Sequence, residues 1–172
     1  MSATAKSSPP GAPGTDADGY APGCTCFYLR SAARRITQVY DDVLKAAGLS
    51  LNQYSLLSQL ARNGGISVSA FAEVMSMDRT TLTRNLHPLE AAGWIISGSA
   101  DPAGARAAGA SARRRLLTLT DTGEAKLREA LPLWVEAQGR VNETLGAQTQ
   151  QALHHSLRDS IRSFKAQQVL EA

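Results

Sequence analysis

The segment from Asp78 to Ile96 (DRTTLTRNLHPLEAAGWII) constrains this chain most, because it predicts a helix with two different faces. At about 100° per residue, three leucines form one stripe that can pack on a core: Leu82, Leu86 and Leu89. The opposite face carries hydrogen-bonding groups and no acidic side chain: Thr80, Thr83, Arg84 and His87, with Thr81 at its edge. Short hydroxyls beside an arginine suit a helix that approaches phosphates and base edges in a major groove. An ordinary solvated helix face is the alternative, so the flanking segments decide between them.

The distribution of charge separates this segment from the rest of the chain. The net charge over 172 residues is only +3. Residues 78–119 contain six arginines against Asp78, Glu90 and Asp101, whereas residues 120–172 contain six basic and seven acidic side chains. The positive excess therefore lies around the two-faced helix and the residues after it. The nearly balanced C-terminal part is typical of a packing or dimerisation region.

Composition also indicates where such a chain acts. It has no apolar run near the ~20 residues that span a bilayer, and its N-terminus lacks a signal-peptide pattern. Two cysteines without a secretory signal indicate a reducing, cytoplasmic setting, and no membrane partner is expected. Residues 1–23 are rich in Ser, Ala, Pro and Gly, so they predict a flexible tail before a single domain over residues 24–172.

The residues before the two-faced helix predict three more helices. Apolar periodicity and a capping box predict helices over about 24–47 and 50–62. A short helix then begins at Ser67 or Ser69, and a brief connection leads to Asp78, which is placed to cap the two-faced helix. Two short helices joined by a tight turn predict a helix-turn-helix.

Pro88 lies inside the two-faced helix. It cannot donate a hydrogen bond to the carbonyl of Arg84, so the helix should kink or loosen at this point. We therefore expect any reading of DNA to be confined to the residues before Pro88, with His87 at the limit of that half.

A β-hairpin is predicted directly after this helix. Residues 94–96 and 115–120 have strand patterns, and residues 97–112 form a loop rich in Gly, Ala and Ser. Arginines mark its tip and the start of its second strand: Arg106, Arg113, Arg114 and Arg115. A hairpin after such a helix is the wing of a winged helix, and its arginines suit the narrow minor groove. A solvated charge run is the alternative for residues 113–115.

The C-terminal part predicts two long helices, over about 121–145 and from Gly146 onward. Their apolar stripes have no partner within a small winged helix, so with the first helix they most simply bury those stripes in a two-fold dimer. The predicted fold class is mainly α with a small β-hairpin wing. It combines a winged helix-turn-helix core over 66–120 with a helical dimerisation module of residues 24–47 and 121–170.

Three segments carry a resemblance to a known family: LSLNQYSLLSQLA, VSAFAEVMSMDRTTLTRNLHPLEAAGWI and RLLTLTDTG. The chain resembles the multiple antibiotic resistance regulator (MarR) family of bacterial transcription factors over nearly all of residues 27–125. The resemblance implies a homodimer that binds a pseudo-palindromic operator in double-stranded DNA. It places the helix from Asp78 in the major groove and the wing in the flanking minor groove. It also implies release of the DNA by small, often phenolic or anionic, ligands or by oxidants.

Carried over by position, the resemblance assigns DNA contacts to five residues of the two-faced helix: Arg79, Thr80, Thr81, Thr83 and Arg84. The wing departs from the family, whose wings often carry a compact motif of Asp and Arg. Here Asp101 is followed by a longer loop and the arginines come late, which favours Arg113 over Arg106 at the tip.

Cys24 and Cys26 lie where the tail meets the first helix. Two close thiols are candidates for a redox switch, or for ligands to a soft metal or metalloid completed by groups from a second subunit. His154 and His155 on the last helix are candidate neighbours. A Cys-x-Cys pair supplies only two ligands, and two ordinary reduced cysteines at a helix end are the alternative.

An effector pocket is expected between the dimerisation module and the winged helix. Tyr40 and Tyr54 are candidates to line it, and each fits an ordinary core or surface position as well as it fits a pocket. The sequence contains no phosphate loop, no metal-spaced His/Glu motif and no nucleophile with a visible base, so we expect no enzyme activity and no cofactor.

The sequence therefore predicts a homodimeric DNA-binding repressor of a nearby operon, released by an unidentified small molecule, by thiol oxidation or by a metal or metalloid. The alternative is a winged-helix module for protein–protein assembly without sequence-specific DNA binding.

Overall fold

The computed structural model describes residues 24–99 and 115–170. In chain order its elements are α1 (Thr25–Leu44), α2 (Leu51–Asn63), β1 (Ile66–Ser67), α3 (Val68–Met75), α4 (Arg79–Ala91), β2 (Ile95–Ser99), β3 (Arg115–Leu119), α5 (Asp121–Leu145) and α6 (Ala147–Leu170). A short 3-10 turn, Lys45–Ala47, connects α1 to α2. The predicted fold class, mainly α with a small β wing, is confirmed.

Polar side chains fix where the helices of the N-terminal half begin. The predicted capping box is present at α2, where Ser50 Oγ accepts from the backbone N–H of Gln53 and Gln53 Oε1 accepts from that of Ser50 at 2.9 Å. Asp41 of α1 also accepts the N–H of Leu51, at 2.6 Å. Each of these bonds satisfies a donor that a helix N-terminus leaves unpaired.

The core of the winged helix is made of large aliphatic side chains and one phenylalanine. The fully buried members come from α2, α3, α4, the sheet and the end of α1: Leu44, Leu56, Leu57, Leu60, Phe71, Leu82, Leu89, Ile95 and Leu117. The predicted leucine stripe of α4 is therefore part of this core, with Leu86 only 3% exposed. Burying this stripe turns the polar face of α4 outward.

The wing belongs to a three-stranded antiparallel sheet in the order β1-β3-β2. Ile66 pairs with Leu117, and Ile95 with Leu119. Strand β1 was not predicted, because two residues are too short to show an alternating pattern. Strand β2 extends to Ser99, beyond the predicted end at residue 96, because pairing with β3 extends it through residues that have little strand propensity of their own.

Helix α4 is continuous through Pro88 to Ala91, so the predicted loosening does not interrupt it. A proline removes one backbone hydrogen bond. Leu86 and Leu89 on either side are buried, and this packing holds the helix in place.

Contacts divide the chain into two compact units, Met1–Ile36 and Thr37–Ala172. The described residues of the first unit belong almost entirely to the N-terminal part of α1, where residues 24–30 are all exposed. The second unit contains the winged helix, α5 and α6. Within the described ranges, no helix combines the length and hydrophobicity needed to cross a membrane.

Candidate nucleic-acid interface

The N-terminus of α4 is fixed by Asp78, as predicted. Its carboxylate accepts the backbone N–H of Thr81 at 2.8 Å and the hydroxyl of Thr81 at 2.6 Å. The hydroxyl hydrogen bond, followed by the backbone bonds, lowers the pKa of Asp78 below its ordinary value. The carboxylate is therefore ionised at neutral pH and keeps the first turn of α4 in place.

The polar face of α4 is open to solvent along its length. Six side chains that the sequence assigned to DNA are exposed: Arg79, Thr80, Thr81, Thr83, Arg84 and His87. They lie opposite the buried leucines, so the fold brings them together on one surface. That surface contains two guanidinium groups, three hydroxyls and an imidazole.

Two of the three hydroxyls are already engaged within the helix. The Thr83 hydroxyl donates to the carbonyl of Arg79 at 2.7 Å, and the Thr81 hydroxyl donates to Asp78. Within the described ranges, no hydrogen bond is recorded for the Thr80 hydroxyl. The three threonines therefore differ in what they offer a ligand, which the sequence did not indicate.

Asn85 is a structural residue that sequence reasoning missed. Its Nδ2 donates to the thioether of Met77 at 3.7 Å, linking α4 to the turn that precedes it. No periodicity marks such a contact, because Asn85 lies between the two faces of the helix.

The described part of the wing contains one of its four predicted arginines, Arg115, at the start of β3. Arg106, Arg113 and Arg114 lie outside the described residues. Five consecutive residues of β2 pair with β3, which makes the base of the wing a paired ribbon.

The base of the wing is joined to α5 by a close backbone contact that the sequence did not predict. The hydroxyls of Thr120 and Thr122 both donate to the carbonyl of Gly93, at 2.7 and 2.9 Å. Gly123 lies so close to Trp94 that an added Cβ would be 2.0 Å from its carbonyl oxygen. The only sequence signal was the segment RLLTLTDTG, which ends at this glycine.

Lys126 of α5 adds two contacts beside the one between Gly123 and Trp94. Its Nζ lies 5.5 Å from the centre of the Trp94 ring and donates to the carbonyl of Ala47 at 3.2 Å. The lysine therefore holds the residue before β2 and the α1–α2 connection to one side of α5.

Tyr40 and Tyr54, the candidate pocket residues, are both buried against Trp134. The ring of Tyr54 stacks on Trp134 with centroids 5.9 Å apart, and the Tyr40 ring lies 6.4 Å from it. The Tyr40 hydroxyl donates to Gln138 Oε1 at 2.6 Å. Burial raises the pKa of both tyrosines, so both phenols are neutral at neutral pH.

A cavity of about 980 Å³ opens elsewhere, between the α3–α4 turn and α6. Its lining is partly apolar and partly charged: Ser69, Ala72, Glu73, Ser76, Met77, Asp78, Arg79, Ile161, Phe164 and Lys165. Neither Tyr40 nor Tyr54 lines it.

Cys24 and Cys26 are free and exposed at the start of α1. His155 of α6 is 3.1 Å from Asp159. Among the described residues, no group of three His, Cys, Asp or Glu side chains is arranged to hold a metal ion. The two thiols are accessible to reagents, and any metal or metalloid site would need further donors.

Replacing Asp78 by alanine is expected to lower the melting temperature, because Thr81 loses both acceptors and the first turn of α4 frays. Asp78→Asn keeps an oxygen for the Thr81 N–H but loses the charge and the acceptor for the Thr81 hydroxyl, so it should melt between Asp78→Ala and the unchanged chain. Because the folded pKa is lowered, the wild-type contribution is present at neutral pH and is lost as the pH falls through that pKa. Circular dichroism melts at neutral and acidic pH measure this. Equal melting temperatures for Asp78→Ala and the unchanged chain at neutral pH would contradict it.

The sequence and the structure of this chain are both similar to those of known proteins. The model of the MarR family matches residues 49–99. The transcriptional regulator MosR of M. tuberculosis, solved in complex with DNA, is 30% identical, with 83% of this chain and 97% of that chain covered and a TM-score of 0.69. A further MosR structure is 26% identical, with 84% and 98% covered and a TM-score of 0.68.

The transcriptional repressor CouR, bound to a 23-mer DNA duplex, is 25% identical, with 80% of this chain and 92% of that chain covered and a TM-score of 0.68. No curated protein matches the chain. The MosR and CouR matches extend over nearly the whole length of those proteins. The chain therefore belongs to the MarR family of DNA-binding transcriptional regulators.

Proposed function

We propose that this chain is a homodimeric repressor that binds a pseudo-palindromic operator and is released by a small effector. The observation that carries the proposal is the exposed polar face of α4, capped by Asp78 and backed by a buried leucine stripe. Two relatives with the same fold, MosR and CouR, have been solved on DNA. A winged-helix module for protein assembly is not favoured, because the exposed face of α4 consists of basic and hydroxyl side chains suited to DNA and contains no apolar patch.

Six residues of α4 form the major-groove contact in this proposal. Arg84 lies in the middle of the exposed face and donates to a guanine, the commonest partner of arginine among bases. Arg79 and Thr80, in the first turn, contact phosphates, as do groups at helix N-termini generally. Thr81, Thr83 and His87 complete the surface.

The wing supplies the minor-groove contact. The segment of sequence between β2 and β3 contains Arg106, Arg113 and Arg114, and β3 begins at Arg115. The enhanced negative potential of a narrow minor groove attracts such arginines, so this contact depends little on the identity of individual bases. Their contribution is therefore expected to fall with increasing salt.

The homodimer is supported by apolar side chains that remain exposed on α5 and α6. Leu131 and Val135 of α5 are 49% and 55% exposed, and Ile161 and Phe164 of α6 are 52% and 69% exposed. Members of the family are dimers, and a two-fold partner would remove these side chains from water. In this proposal the dimer acts on double-stranded operator DNA in the cytoplasm.

Release of the DNA has two alternative triggers in this proposal. One is a small ligand that reaches Tyr40 and Tyr54 and therefore has to displace or extend their stack on Trp134. The other is oxidation of Cys24 and Cys26, or their binding of a metal or metalloid, supported by the exposure of both thiols at the start of α1.

The thiol route makes its own prediction. Treating the protein with diamide or arsenite should change its intact mass and weaken DNA binding, and the paired change Cys24→Ser, Cys26→Ser should abolish both effects. Mass spectrometry and fluorescence anisotropy on the same samples measure them. If DNA affinity stays constant while the mass changes, the thiols do not control DNA binding.

Selection of duplexes from a random library by the purified full chain tests the proposed function. We expect an inverted repeat whose half-site centres are about 10 base pairs apart, since two α4 helices of a dimer meet the same side of the DNA one turn apart. Recovery of no enriched sequence, with protein that is folded by circular dichroism, would reject sequence-specific DNA binding.

A further inference from the structure

The hydroxyl hydrogen bonds of α4 point to a base preference for one residue. We propose that Thr83 selects an A·T pair, acting as a hydrogen-bond acceptor and as a methyl contact rather than as a donor. The proposal rests on the proposed function, since it assumes that α4 enters the major groove.

The argument begins with the single proton of the Thr83 hydroxyl. A carbonyl oxygen can only accept, so the 2.7 Å contact between Thr83 Oγ1 and the Arg79 carbonyl requires the hydroxyl to donate. The proton is therefore directed back along the helix. What the exposed side chain still has available for a ligand is the remaining lone pairs of the oxygen and the γ-methyl group.

The base edges of the major groove can be matched to this pair of groups. A lone pair needs a donor, which is the exocyclic amino group of adenine or cytosine, and a methyl group packs on the 5-methyl of thymine. An A·T pair offers both an amino donor and a methyl. A G·C pair offers the amino group without the methyl, and guanine itself presents only acceptors, which an oxygen without a free proton cannot bind.

Thr80 provides a matched contrast one turn earlier on the same face. Within the described residues no hydrogen bond is recorded for its hydroxyl, so its proton is free to donate to a phosphate oxygen. A phosphate contact carries no direct sequence information. Removing the Thr80 hydroxyl is therefore expected to weaken binding to every sequence, whereas removing the Thr83 hydroxyl is expected to change the base preference.

Duplexes with base analogues that each lack one functional group test the assignment. On the duplex that the full chain selects, thymine is replaced by deoxyuridine, which lacks the methyl, and adenine by purine deoxyriboside, which lacks the amino group, one position at a time. We expect one A·T pair in each half-site at which both replacements weaken binding by the unchanged chain, each by about three- to tenfold, the range for one net hydrogen bond in the case of purine and for one buried methyl group in the case of deoxyuridine.

Two variants separate the two contacts at that pair. Thr83→Val keeps a methyl and removes the acceptor, so it should become insensitive to purine and remain sensitive to deoxyuridine. Thr83→Ser should show the reverse. Thr80→Val should weaken binding by a similar factor on every sequence, with unchanged preferences. Circular dichroism confirms that each variant is folded.

The proposal is overturned if Thr83→Val and the unchanged chain respond alike to purine at every position, or if the preference that relaxes in Thr83→Val is for a G·C pair. Both of these results leave an enriched operator intact and so leave the proposed function standing. Failure to enrich any sequence with the unchanged chain counts against the proposed function and removes the basis of this assignment.

Discussion

Arg84→Ala is expected to lower affinity for the selected operator about 5- to 150-fold, because a bidentate contact between arginine and guanine contributes about 1–3 kcal/mol. Arg84 is exposed in the middle of the α4 face, and the leucines on the opposite side are buried, so its removal should leave the fold intact. The base preference should relax at one position in each half-site. Fluorescence anisotropy against operators changed one position at a time measures both effects.

Arg128→Ala is the matched control. Arg128 is exposed on α5, outside the α4 face, and its replacement changes the net charge by the same amount. We expect its effect to be small and uniform across sequences. If the two variants lost equal affinity on all duplexes, Arg84 would contribute only charge and would not read a base.

Gly123→Ala is expected to destabilise the fold by about 3 kcal/mol, at the upper end of the usual cost of overpacking a core. The added Cβ would lie 2.0 Å from the carbonyl oxygen and 2.9 Å from the carbonyl carbon of Trp94. Both of these are backbone atoms, which cannot move aside as a flexible side chain can. The melting temperature should fall by roughly 6–12 °C for a domain of this size.

Gly139→Ala provides the comparison within the same helix. Apart from the adjoining residues and the backbone of α5 itself, no atom of the described residues lies within 4 Å of a Cβ added at Gly139, so alanine should leave stability unchanged or raise it through helix propensity. Thermal melts of the two variants measure the difference. Equal melting temperatures for Gly123→Ala and Gly139→Ala would show that α5 and Trp94 are not closely packed at Gly123.

The α4 helix shows how much of the site could be predicted from the sequence. Its buried stripe, its exposed face and its cap by Asp78 follow from helical periodicity and from the chemistry of one N-cap residue. These are local properties of the chain. The sequence also predicted that the helix runs past Pro88, with a kink or loosening there, but not that it is uninterrupted, which depends on packing of Leu86 and Leu89 against other elements.

The joint around Trp94 shows why other features could not be predicted. Gly123 approaches Trp94 across 29 positions in the chain, and Lys126 reaches Ala47 across 79. No spacing in the sequence records such contacts. The direction of the Thr83 hydroxyl was equally hidden, since a threonine on a helix face donates to the carbonyl four residues earlier only in one of its rotamers.

The most direct test of the central claim compares the selected duplex with a copy in which one half-site is scrambled. The protein is titrated into each, and the mass of the complex is determined by light scattering. The account predicts two chains on the intact duplex and a large loss of affinity when either half-site is scrambled, because the two α4 helices of a dimer bind together. Equal affinity for the intact and scrambled duplexes, or one chain on each, would contradict it.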